Sequence, residues 1–98
     1  MAATARDKLQ AIDQVLLGFI GKTGSEAVYS YLERNYGLRK EELPKRIETF
    51  ALGIEAAFGS SALIIEKLVI RNLQSRLTYQ GEKPYGFLEF MKKIQEPV

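Results

Sequence analysis

The chain has 98 residues, 46% of them apolar and 27% charged, the balance of an ordinary soluble globular domain and not of a disordered tail or a fibrous repeat. That length allows one hydrophobic core, so residues 1–98 are expected to form a single helical domain. There is no cysteine and no histidine, which excludes disulfides, thiolate metal sites and the commonest general base, and fourteen Lys and Arg against twelve Asp and Glu leave only +2, not a nucleic-acid-binding balance by itself.

From Ala3 to Gly21, Leu9, Ile12, Leu16 and Phe19 recur at helical spacing, with Val15 and Ile20 widening the stripe. The first helix is expected to stop in Gly21-Lys22-Thr23-Gly24. Thr23 and Glu26 then stand three apart, the spacing of a capping box, and predict a second helix whose buried side is Val28, Tyr31 and Leu32. Gly37 supplies the left-handed residue that closes it. Leu38 to Leu43 reads as a charged connection, after which Pro44 suits the first turn of a third helix carrying Ile47, Phe50, Ala51, Ile54 and Phe58. Gly59 ends that helix, and Ser60 or Ser61 caps a fourth that runs to about Thr78. A loop from Tyr79 to Lys83 leads to Pro84 and a last helix with Phe87, Phe90, Met91 and Ile94 on one face, stopped before Pro97. The expected fold is therefore all-α, five helices packed around an apolar fourth.

That fourth helix differs from the others. At 100° per residue, Ala62, Val69, Ile70, Leu73 and Leu77 gather on one side, while Ile64, Ile65 and Leu68 gather nearly opposite, leaving a polar strip of Lys67, Arg71, Gln74 and Thr78. A helix apolar on two sides is either the central rod of its domain or one that shares a face with another chain. Ile64, Lys67, Leu68 and Arg71 are accordingly the candidate interaction residues. The excess of positive charge falls here too, since residues 59–80 hold Lys67, Arg71 and Arg76 against Glu66 alone.

No constellation carries recognisable chemistry. Gly21-Lys22-Thr23 invites comparison with a phosphate-binding loop, but the loop's first glycine would fall at Leu16 and a helical pattern stands where a strand is required. Ile20-Gly21-Lys22-Thr23-Gly24 is similar to the GXXG loop of KH nucleic-acid-binding domains, yet nothing after Gly37 alternates with the period of a strand, so a tight turn between helices is the better reading. Glu41 and Glu42 are neighbours within a solvated charge run and point apart. The carboxylates lack the spacing of a cation-binding loop. The aromatic residues mostly fall on apolar stripes, with Tyr79 and Tyr85 the exceptions. The chain is therefore expected not to be an enzyme, with no catalytic residue, cofactor or metal. No apolar stretch approaches a membrane span, and Arg6, Asp7 and Lys8 stand where a signal peptide would be apolar, so a cytoplasmic location and no membrane partner are expected.

Leu38, the Glu42-Leu43-Pro44 step, Phe50, Ala57-Phe58-Gly59-Ser60-Ser61 running into Ile64 to Ile70, Leu73 to Leu77, and then Tyr85, Phe87 and Phe90 form a pattern that resembles the small archaeal Nitrosopumilus output domains, over about residues 26–94. The resemblance implies an archaeal module that relays a regulatory signal through protein contacts, and it transfers no functional residue. The expected function is a non-enzymatic helical interaction module whose partner is a protein, a second copy of the chain included. The alternative is a small helical nucleic-acid-binding regulator, for which a helix-turn-helix reader would show a more basic second helix than Ser61 to Thr78.

Overall fold

The computed structural model describes residues 3–77 and 86–94, with Leu77 described in its backbone alone. The predicted loop after the fourth helix, with Tyr79, Pro84 and Tyr85, and the stop at Pro97 lie outside the described residues. Among those described there are four α-helices, α1 (Ala5–Tyr36), α2 (Ile47–Phe58), α3 (Ala62–Leu77) and α4 (Phe87–Lys93), with 3₁₀ turns at Lys40–Glu42 and Gly59–Ser61 and no strand. The all-helical class stands. The count of five is not matched, because the first two expected helices run into one another at Gly21 without an intervening loop and are counted together as α1.

The join explains the difference. Thirty-two residues of straight helix would span about 48 Å, more than the 35 Å greatest extent of the molecule. The axis breaks at Gly21, whose φ of 76° and ψ of 180° lie in a region essentially reserved for glycine. One residue makes the turn. The two halves of α1 consequently fold back on one another, and the Tyr29 hydroxyl donates to Asp13 Oδ1 at 2.8 Å across sixteen positions of sequence. The capping box expected at Thr23 and Glu26 is not used, since both residues are helical and exposed, and the buried Ser25 hydroxyl instead donates to the Gly21 carbonyl at 2.8 Å. A capping box does form at the start of α1. There Thr4 and Asp7 exchange backbone-to-side-chain bonds of 3.0 Å in both directions. The Thr4 backbone amide first, and then its hydroxyl, hold the Asp7 carboxyl below the usual aspartate range.

At the end of α1, Gly37 is left-handed (φ 61°, ψ 28°) as its position predicts, and Arg46 adds guanidinium bonds to the carbonyls of Tyr36 and Gly37. The segment read as a charged connection is anchored by two leucines. Leu38 and Leu43 are fully buried, so their charged neighbours face solvent while these two join the core. Pro44 consequently belongs to the turn that precedes α2, which begins at Ile47. Close packing of α2 on α1 requires Gly53, where a Cβ would run into Leu32 Cδ2 and come within 3.3 Å of Tyr36 Cε2.

One hydrophobic cluster takes in all four helices. Phe50 and Phe87 meet in it with ring centroids 6.2 Å apart, and Phe90, Met91 and Ile94 fill it from α4, as the stripe predicts. The buried Ala3 amide donates to the Ile94 carbonyl at 2.7 Å, tying the start of the fold to its last helix. α3 packs against α1, α2 and α4 and is the central helix.

Candidate functional site

The inward side of α3 is Ala62, Ile65, Val69 and Leu73, each no more than 1% exposed, at the three- and four-residue spacing of a single helix face. The expectation that Ile65 belongs with Ile64 and Leu68 on an opposite face is therefore corrected. The hundred-degree step puts Ile65 close enough to Ala62 and Val69 to share their face. Ile70 moves the other way and is only half-buried. The outward side is Ile64, Lys67, Arg71 and Ser75, all exposed, and Leu68 stands half-buried at its edge. The four candidate residues thus share the outer side, three exposed and Leu68 partly covered.

Beside Leu68 a groove runs between α3 and the first half of α1. Val15, Gly18 and Phe19 line one wall, and Leu68, Arg71 and Ser75 the other. Phe19, assigned by its spacing to the core, is 39% exposed and sits edge-on to Phe58 with centroids 6.3 Å apart. Ile12, Val15 and Leu16 are buried on α1 as their spacing predicts, and Lys8 and Ala11 are buried with them. The groove is open beside Gly18, where a Cβ would meet nothing within 4 Å. Towards the start of α1 the groove closes in amides. Asn72 Nδ2 donates to Gln14 Oε1 at 3.2 Å, while Arg76 donates to Asn72 Oδ1 at 2.7 Å and to Gln10 Oε1 at 3.1 Å. This network went unread in the sequence, although paired amides and a cation at four-residue spacing (Gln10 and Gln14, Asn72 and Arg76) are its signal.

Among the described residues, the cations of the outer face have no ion-pair partner. The ion pairs among the described residues are Arg39–Glu33, Lys40–Asp13, Arg46–Glu42 and Lys92–Glu48, none of which involves Lys67 or Arg71. The one carboxylate of α3, Glu66, lies toward α2, where burial first and the Glu55 charge second push its carboxyl above the usual range. Among the described residues, exposed apolar side chains and cations without an ion pair therefore share the outer side of α3, and no acid of α3 lies on it.

Other clusters do structural work. Asp13 Oδ1 accepts from Tyr29 and pairs with Lys40 Nζ at 3.2 Å, while that ammonium stands 4.8 Å above the Tyr29 ring. Burial, and then the Asp13 hydrogen bond, raise the Tyr29 phenol far above its ordinary value, so it stays protonated as the donor to Asp13. The cluster clips the two halves of α1 to the segment that follows. Lys22 and Thr23 are exposed at the Gly21 turn, with no strand beside them among the described residues. Among the same residues, no helix is long and apolar enough to cross a membrane, and no three acidic side chains are grouped to hold a metal ion. No protein-family model, characterised protein or solved structure matches the chain.

Proposed function

We propose that the protein is a non-enzymatic helical interaction module that acts through protein contacts on the outer side of α3, in a regulatory or signal-output role of the kind its resemblance to the archaeal output domains implies. One observation carries the reading. The central helix, whose inner side is fully buried, turns Ile64 outward at 51% exposure, with the partly open pair Phe19 and Leu68 at the neighbouring groove and two cations, Lys67 and Arg71, that have no ion pair among the described residues. Isolated exposed apolar residues need no explanation, but neighbouring ones beside a groove mark a contact surface. Tagged chain and its Ile64→Glu/Lys67→Glu variant, applied to a native-host extract after nuclease treatment, test it. Proteins retained by the parent and lost by an equally helical variant are expected; retention of the same set by both refutes the reading.

A second reading rests on Lys67 and Arg71, which stand one helical turn apart and exposed with no carboxylate between them. Under it the surface carries nucleic acid, contacts only two or three phosphates, and gives a log–log salt slope of about −2 to −3 with little sequence preference. Nuclease treatment separates it from the first.

A further inference from the structure

A partner for this face must bring apolar side chains to Phe19, Ile64 and Leu68 and negative charge to Lys67 and Arg71. Pairing α3 symmetrically on α3 fails that condition, because Lys67 and Arg71 would meet their own copies, and like charges brought together in a drying contact repel. The chain holds a surface that meets it. On α2, Leu52 is the most exposed large apolar residue among those described, at 60%, and Glu48 and Glu55 stand one turn before and one turn after it on the same face. Glu55 has no ion pair among the described residues, and Glu48 has only an exposed one with Lys92 at 3.1 Å, a kind of pair worth little and readily exchanged. The spacing matches as well, since the leucine flanked by acids covers about two turns of α2, and Ile64, Lys67 and Arg71 cover about two turns of the exposed side of α3, with Arg71 at the groove.

Position adds to charge. The end of α2 is not remote from the groove, because Phe58, three residues after Glu55, lies edge-on against Phe19 on the groove's wall. The Glu55 end of the acidic face therefore lies near the Phe19 wall of the groove, and a two-fold axis near Phe58 would set each copy's acidic face toward the other's groove. We propose that the partner is a second copy of the chain, bound reciprocally, with Glu48, Leu52 and Glu55 of each protomer set over Phe19, Ile64, Lys67, Leu68 and Arg71 of the other. The inference rests on the reading of the outer face as a docking surface and goes beyond it in naming what docks.

Charge reversal in the full chain tests it. Sedimentation of the parent at low salt is expected to show a monomer–dimer equilibrium that weakens as salt rises. Lys67→Glu/Arg71→Glu and Glu48→Lys/Glu55→Lys are each expected to weaken self-association by at least about tenfold, since each sets like charges against one another. Mixing the two variants restores opposite charge at both contacts, and a heterodimer within about threefold of the parent's affinity is expected. A parent that stays monomeric overturns the proposal, as does a mixture that fails to associate or a dimer that neither reversal weakens. A monomeric parent that still loses its extract partners on Ile64→Glu/Lys67→Glu overturns the second copy and leaves the docking surface standing. Circular dichroism on each variant separates lost association from lost folding.

Discussion

Ile64 and Ile65 are the same side chain one position apart on the same helix, and one is 51% exposed while the other is fully buried. The difference is a rotation of 100°, and it divides α3 into a side that holds the fold together and a side available to something else. Burying a side chain of this size contributes about 1.5 to 3 kcal/mol, so the inner positions bear directly on whether the domain folds. The outer ones contribute little to folding and are free to be chosen for binding.

Leu73→Glu breaks the comparison hardest on its inner side. A charge without a partner in the core costs more than about 4 kcal/mol, against a total of about 5 to 15, and loss of the helical dichroism signal at room temperature is expected. Glycines sharpen the contrast. Gly53→Ala places a methyl group against the buried Leu32 at the contact of α1 with α2 and should lower stability by about 1 to 3 kcal/mol in urea titration. Gly18→Ala adds the same methyl group to a helical position facing the open groove, and is expected to raise stability by about 0.5 to 1 kcal/mol in the same titration. A loss at Gly18 would mean that the groove is tighter than its geometry shows.

The smallest effect lies on the flank of α3 turned toward α2. Glu66 has its carboxyl raised above the ordinary 4.5 by burial and by Glu55, so the folded state disfavours its charge. The native chain then binds the proton more readily than the unfolded one, and the penalty is complete above the raised value and absent below the ordinary one. Glu66→Gln should therefore increase stability at neutral pH by a few tenths of a kcal/mol, reduced by the group's partial exposure, and the gain should vanish in melting curves recorded below the ordinary glutamate range.

Much of this arrangement is legible in the sequence, and the parts that are not have a common cause. Periodicity alone places Phe50, Ile54, Phe87, Phe90, Met91 and Ile94 inside, and Gly37 at a helix end, because each depends on its own helix and little else. It fails where neighbours decide. Ile65 stands between the two apolar sides of α3 on the helical wheel, and the positions of α1, α2 and α4 around α3 settle that it is covered with Ala62 and Val69 while Ile64 is not. Phe19 satisfies a helical stripe yet ends beside the groove, since the break at Gly21 ends the first half of α1 two residues later. That break needs one glycine where a loop of four residues was expected, and the angle that achieves it, φ of 76° with ψ of 180°, leaves no signature beyond the glycine itself. Leu38 and Leu43 are hidden among charged residues whose side chains turn away from them. The candidate surface was visible as four residues of one helix; its other wall on α1 required the fold.

The division of α3 into two sides is tested most directly by Ile64→Glu and Ile65→Glu measured together, by thermal unfolding and by molar mass in solution. The expected result is an Ile64→Glu chain that melts within about 0.5 kcal/mol of the parent and has lost its association, beside an Ile65→Glu chain with no cooperative transition. Equal loss of structure in both would contradict the account, because Ile64 would then belong to the core. A folded Ile64→Glu chain that associates as the parent does would contradict it as well.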